Sequence, residues 1–404
     1  FLFNSRIVAQ INANGAYLIG NNIEVGINNA GFEGTFDLAG SHARSDQFDP
    51  AVFFGFVANP QLNAWATYDG DFFTPGTPEN GFGIEINGIN YSNNAIDGNF
   101  GFGIQNEIPG TLSNYLVVGD CISVEWNGTI NNVNVKIVYK MVATNLFYTT
   151  EVTLTNNTGA ALSNVYYYRN VDADNNVFLN TFYETTNTID AQPTGGCPKA
   201  LVSATQPIIS GVQASYLGLA AIGPMFRVCT GGFTNRDGSD IWNGIGFNSA
   251  VGSSLYIDEA ISLGYKITSL ASGASETFKF ATILAATQID EAFSNLYEFD
   301  YPGAVLGSSS ACSPTIDETT ICGNAPSTIS LVGPNVNDYT WTWSPAIGLN
   351  TSTGPVVQAF PSVSTTYTVT GTPVNPCLTL VIVKTIVVNP GIDIQITDPG
   401  PLCG

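Results

Sequence analysis

Val133, Val135, Ile137, Tyr139 and Met141 are apolar, and Asn134, Lys136 and Lys140 stand between them. A period of two puts the apolar side chains on one face of an extended strand and is incompatible with a helix. Val124-Glu125-Trp126 lies upstream, followed by Asn127-Gly128, a dipeptide that supplies the positive φ angles of a tight hairpin, so the spacing predicts a turn there. Downstream come Glu151 to Thr155, the turn sequence Asn156-Asn157-Thr158-Gly159, and a further strand from Leu162 to Arg169. Successive strands of this kind predict an antiparallel meander, whose apolar face needs a second sheet to cover it. Helical periodicity is confined to Ile289–Leu296, where Thr287 or Asp290 caps and Ala292, Phe293 and Leu296 share a face. The expected class is all-β, with residues 1–305 forming one large antiparallel β-sandwich head.

Tyr301-Pro302-Gly303 and Gly307-Ser308-Ser309-Ser310 read as a linker. Beyond it, residues 312–390 have the length and alternation of an Ig-like β-sandwich repeat. Its strand signals are Ser327 to Leu331, Tyr339 to Trp343, Tyr367 to Thr370 and Leu378 to Val388. Trp341 or Trp343 is placed to pack on an intersheet bridge between Cys322 and Cys377. Ile321-Cys322-Gly323 reappears as Leu402-Cys403-Gly404, so residues 391–404 read as the start of a further Ig-like repeat and the chain as part of a tandem array.

Seven cysteines occur without a CxxC pair, which disfavours zinc. The expected bridges are Cys322 with Cys377, worth about 4 kcal/mol on the chain-entropy model, and Cys197 with Cys229. Cys121 and Cys312 are left paired or free, and the counterpart of Cys403 would lie in the next repeat. Disulfides imply an oxidising, extracellular setting, and the opening at Phe1 fits a mature N-terminus after signal removal as well as a simple boundary. With 32 acidic against 11 basic residues, the net charge of −21 repels nucleic acid and anionic lipid. No apolar run reaches the roughly 18 residues of a spanning helix.

Tyr339-Thr340-Trp341-Thr342-Trp343-Ser344-Pro345, Gly348-Leu349 and Thr365-Thr366-Tyr367-Thr368-Val369-Thr370-Gly371 resemble the Ig-like or PKD-like repeats of large Bacteroidota surface proteins. The head is similar, more loosely, to the domain that often precedes such repeats. That similarity rests on Ile23 to Ile27, Gly31 to Gly34, Gly55 to Pro60, Gly70 to Glu79 and Tyr166 to Asn175. The resemblance implies type IX secretion and cell-surface display in the manner of gliding-motility adhesins. It carries no catalytic residues with it.

Asp172-Ala173-Asp174-Asn175-Asn176 follows a strand and alternates carboxylate with amide oxygens, as Ca²⁺ prefers, so Asp172, Asp174 and Asn176 are candidate ligands. An ordinary Asx-rich turn is the competing reading. Asn235-Arg236-Asp237-Gly238-Ser239-Asp240 offers a second set of oxygens. His42, alone of its kind and without a G-x-S-x-G elbow, reads as a solvated loop residue. Glu24, Glu33, Asp71 and Glu79 stand near Phe32, Trp65, Phe72 and Phe73, so glycosidase chemistry, a sugar platform and plain core all fit. Asn90, Asn127, Asn156 and Asn350 sit in N-x-S/T triplets that arise readily by chance in such a composition.

The functional expectation is a non-enzymatic, extracellular or cell-surface adhesin, a head on a stalk of repeats. Its partners would be a surface polysaccharide or other extracellular ligand, the secretion machinery, and other copies of itself. The alternatives are a carbohydrate-binding or carbohydrate-active secreted protein and a filament subunit.

Overall fold

In the computed structural model, the described residues are 11, 15–35, 55–60, 62, 72, 79–96, 103–118, 120–175, 182–193, 199–206, 214–296, 317–321, 327–331, 339–373 and 382–390. They form two compact units, Phe1–Leu296 and Tyr297–Gly404. Both are all-β.

The first unit is built on a nine-stranded antiparallel sheet. Its strands run, in spatial order, β16 (Ser254–Ile257), β12 (Thr185–Ala191), β13 (Lys199–Gln206), β14 (Ser215–Ile222), β18 (Ser275–Ile283), β10 (Phe147–Asn156), β9 (Val133–Val142), β8 (Cys121–Ile130) and β7 (Gly110–Val118). A six-stranded sheet faces it, in the order β15 (Phe226–Gly231), β17 (Ala260–Leu270), β11 (Leu162–Asp172), β4 (Asn80–Ile86), β5 (Ile89–Ile96) and β6 (Gly103–Asn106). A three-stranded sheet, β1 (Gly15–Ile19), β2 (Ile23–Asn28) and β3 (Phe56–Ala58), adds Leu18, Val25 and Phe56 to the same core.

Aromatic contacts join the two large sheets. Phe82 of β4 meets Trp126 of β8 edge-on at 5.5 Å, and Phe278 of β18 stacks on Tyr265 of β17 at 4.0 Å and meets Tyr167 of β11 at 5.2 Å. Such pairs add about 1 kcal/mol each beyond the area they bury.

β9 turns Val133, Val135, Ile137, Tyr139 and Met141 inward, as its alternation predicts, and β8, β9 and β10 form the expected meander. β11 departs from it, leaving β10 through the Asn156–Gly159 turn to enter the opposite sheet between β17 and β4. The hairpin at Asn127-Gly128 does not form. β8 continues through both residues, and the turn falls at Asn131-Asn132, with φ of 47° and 60°. Gly128 serves packing instead, because a Cβ there would overlap the Trp126 ring.

The helix at Ile289–Leu296 forms with the predicted boundaries and seats Ala292, Phe293 and Leu296 against β14 and β18. It is α2, because a six-residue helix, α1 (Gly238–Asn243), precedes it where only a loop was expected.

In the second unit, β19 (Asp317–Ile321), β24 (Ile382–Pro390), β23 (Thr365–Pro373) and β21 (Tyr339–Ser344) make a four-stranded sheet in which β19 runs parallel to β24. β20 (Ser327–Ser330) pairs with β22 (Val356–Ala359) in a separate two-stranded sheet. Trp341 and Trp343 are both buried, with Tyr339, Tyr367 and Val369 alongside. The bridge expected between Cys322 and Cys377 lies outside the described residues, as do residues 391–404.

The pairing of Cys197 with Cys229 is overturned. Cys229 is a free thiol buried on the outer side of β15, packed with Tyr168 and Ile241. The alternation of β15 decides this. Val228 faces the core, so Cys229 points the other way, beneath α1. Cys121, at the start of β8, is disulfide-bonded, and Cys197 and Cys312 lie outside the described residues.

Candidate functional site

β11 ends where its ladder with β4 runs out. Val171 still pairs with Asn80, and the Asp172 N–H then donates to the Glu79 carbonyl at 2.8 Å. Beyond β11 the chain turns sharply, with the Asn175 N–H bonded to the Ala173 carbonyl and the Asn175 amide donating to the Ala204 carbonyl at 2.9 Å, at the end of β13. Asp172 and Asp174 are thereby held on one side of the turn. Asp258, from the connection between β16 and β17, joins them, and one carboxylate oxygen from each residue lies within 4.8 Å of the others.

Burial is uneven across the three. Asp172 is 7% and Asp174 2% exposed, whereas Asp258 faces solvent. Burial pushes the Asp172 carboxyl well above the usual carboxylate range, aided by the charges of Asp258 and Glu79. Burial also raises Asp174, with Asp172 and Asp258 adding to the effect, and burial and Glu184 raise Asp258. Such a constellation favours either protons or a cation.

The donor set suits a hard cation. Calcium–oxygen distances of about 2.3–2.6 Å put ligand oxygens on opposite sides of one ion roughly 5 Å apart, which matches the spread of the three carboxylates. Asp174 Oδ1 and Asn175 Oδ1 are buried without a hydrogen-bond donor among the described residues, and a cation would supply what they lack. Two of the expected ligands, Asp172 and Asp174, thus converge, Asn176 lies outside the described residues, and Asp258 was missed. The β11–β17 pairing, unreadable from sequence, sets Asp172 opposite Ala260 and so brings Asp258 round.

The surroundings mix charge with exposed aromatic surface. Glu79 forms an ion pair with Arg236, which also donates to Gln105 at 3.2 Å. On the other side, Thr185 pairs with Ile257, so the chain entering β12 and the chain leaving β16 run side by side next to Asp258. Those segments carry Phe182 and Tyr183, each 46% exposed, and Tyr256, 53% exposed.

Among the described residues, the other acids proposed from sequence join no cluster of three carboxylates. Glu33 is fully buried, with Oε2 2.9 Å from Arg169 Nη2 and Oε1 accepting from Tyr148 Oη at 2.7 Å; the ion pair's angle lies outside hydrogen-bond geometry. Arg169 also donates to the Gly81 carbonyl at 3.0 Å, and although burial pulls its guanidinium down, Glu33 together with Tyr148, Tyr139 and Tyr167 holds it above its ordinary range. This is a core ion pair. Glu24 is buried on β2, Glu79 is engaged by Arg236, and Asp71, Trp65 and His42 lie outside the described residues. Asn235 to Asp240, read as a source of oxygens, is the start of α1: Asp237 caps it by accepting the Asp240 N–H at 2.9 Å, and Asn90 bonds Asp237 and the Gly238 N–H.

No family model matches this chain, and no curated protein does. Among solved structures it is similar to a polysaccharide lyase, at 9% identity and TM-score 0.29, over 95% of this chain and 48% of that one. It is also similar to a GH36 α-galactosidase from Geobacillus stearothermophilus, at 9% identity and TM-score 0.34, over 70% of this chain and 43% of that one. A galactose mutarotase related enzyme from Lactobacillus acidophilus aligns at 8% identity and TM-score 0.27, over 68% of this chain and 98% of its own. The chain spans less than half the length of the lyase and of the galactosidase.

Proposed function

We propose that the first unit is an extracellular carbohydrate-binding head that recognises polysaccharide at the Asp172–Asp174–Asp258 site with Ca²⁺, binding without turnover, and that the Ig-like unit carries it. One observation bears the weight: the segments that run side by side next to Asp258, one of three convergent carboxylates, carry the exposed tyrosines Tyr183 and Tyr256. Sugars present hydroxyl groups to oxygens and cations and an apolar C–H face to aromatic rings, so a site for them combines both chemistries. A purely structural carboxylate cluster has no need of exposed tyrosines. Surface display by a secretion machinery, as the sequence resemblance implies, is compatible with this role and is proposed with it.

Affinity electrophoresis of the full chain in gels containing soluble polysaccharides tests the reading. Retardation in Ca²⁺, its loss in EDTA, its loss in D172N/D174N and its weakening in Y256A are the expected results, with no release of reducing ends. Unchanged retardation of D172N/D174N would overturn the site, and release of reducing ends would make the protein an enzyme.

A further inference from the structure

Far along the same sheet, a cationic and aromatic cluster lies outside that site. β15, β17 and β11 are neighbours, and alternation sends Phe226, Val228, Tyr265 and Tyr167 into the core. Their sequence neighbours Arg227, Lys266 and Tyr166 therefore face outward. α1 lays Trp242 over them, above Gly264, with the indole N–H fixed on the Met225 carbonyl at 2.7 Å. The Arg227 guanidinium lies 4.8 Å from the indole centroid, and the Lys266 ammonium lies 4.9 Å from it and 5.3 Å from the Tyr166 ring.

Cations are scarce here, 11 against 32 acids, so every cation has carboxylates in excess to pair with. Lys136, Lys140, Arg169 and Arg236 all do so. Arg227 and Lys266 make no ion pair among the described residues and share one indole instead. The nearby acids are already engaged. Asp237 and Glu85 accept the N–H groups of Asp240 and Ser239 at the start of α1, and Asp240 accepts from Asn235. Each cation–π contact contributes about 0.5–1 kcal/mol, yet two like charges around one ring repel, and an anion between them would remove that repulsion. Arg227, Trp242 and Lys266 are all half-buried, so the cluster is reachable from solvent.

We infer that this cluster is a second subsite, for the carboxylate groups of an acidic, uronate-bearing saccharide, with Trp242 as its aromatic floor. The inference rests on the carbohydrate reading above and names the ligand's charge class. The net charge of −21 opposes a polyanion at long range, but at physiological salt that field decays over about 8 Å, leaving the local cations to dominate.

The test follows tryptophan fluorescence of the full chain during titration with oligogalacturonate and, separately, with neutral oligosaccharides, at physiological ionic strength in Ca²⁺. R227Q/K266Q should lose about tenfold or more in affinity for oligogalacturonate, equivalent to about 1.4 kcal/mol, and none for neutral ligands. K266Q alone, which gives up only ring contacts, guards against misfolding and should lose about threefold. W242F should abolish most of the fluorescence change. Equal affinity of wild type and R227Q/K266Q for oligogalacturonate overturns the subsite. Binding of neutral ligands alone overturns it too while leaving the carbohydrate reading standing, and binding of neither class overturns both. A response to inorganic sulfate as strong as to oligogalacturonate would mark a simple anion site and refute the saccharide assignment.

Discussion

Removing the charge from Asp172 and Asp174 has opposite consequences with and without a cation. Both carboxyls titrate above their unfolded values in the folded chain, chiefly through burial and then through neighbouring carboxylates, Asp258 and Glu79 for Asp172, and Asp172 and Asp258 for Asp174. As pH rises past about 4, the unfolded chain gives up these protons first, so the cation-free folded state loses stability up through the folded values. The first unit in chelator should therefore be more stable in mild acid than at neutrality, at about 1.4 kcal/mol for each unit of upward displacement. D172N/D174N removes that burden and should melt higher than wild type in EDTA at pH 7. Calcium reverses the order. At one hundred times its Kd a bound ion adds about 2.7 kcal/mol, which at about 2 °C per kcal/mol for a unit of this size is a rise of about 5 °C. The variant should show none. The assay is thermal denaturation at pH 5 and pH 7, in EDTA and in Ca²⁺, at fixed ionic strength. If wild type and variant melt alike in all four conditions, the turn is an ordinary Asx-rich turn and the cation argument fails.

Three further outcomes are expected. R169M leaves Glu33 charged and unpaired at zero exposure, and should lower stability by about 3–5 kcal/mol in urea denaturation; a loss under 1 kcal/mol would mean water reaches the pair. G128A forces a methyl group into the Trp126 ring, and overpacking of this kind costs about 1–3 kcal/mol, read as a lower melting temperature with a red-shifted tryptophan emission. Burial raises the Cys229 thiol and hides it, so iodoacetamide at pH 8 should label Cys229 only after denaturation, and native labelling would contradict its place under α1.

Strands covered on one side alone were legible. β9 has polar residues facing solvent, so its alternation is written in the sequence, and α2 keeps a clean apolar stripe because only one of its faces is covered. β4 was harder to read, since α1 packs on its outer side and little alternation survives in Asn80–Ile86. α1 itself is too short to show a period, and its capping aspartate, Asp237, looked like a metal-binding loop. Two members of the carboxylate site could be named because a single residue, Ala173, separates them. Asp258 could not, because its approach depends on the register of β17 against β11. The Glu33–Arg169 pair was hidden for the same reason: long-range pairing decides which charges meet, and local pattern carries no record of it.

The parallel pairing of β19 with β24 bears on how the second unit meets load. The chain enters this sheet at Asp317 and leaves it at Pro390, and the register sets Asp317 against Ile386 and Ile321 against Pro390. In a parallel pair the entry of one strand and the exit of the other lie at opposite ends. Tension pulling on Asp317 and Pro390 therefore slides the two strands past each other and strains their interstrand hydrogen bonds together, whereas an antiparallel terminal pair would peel open one bond at a time. A module joined in this way is a mechanical clamp, suited to bearing tension along the chain.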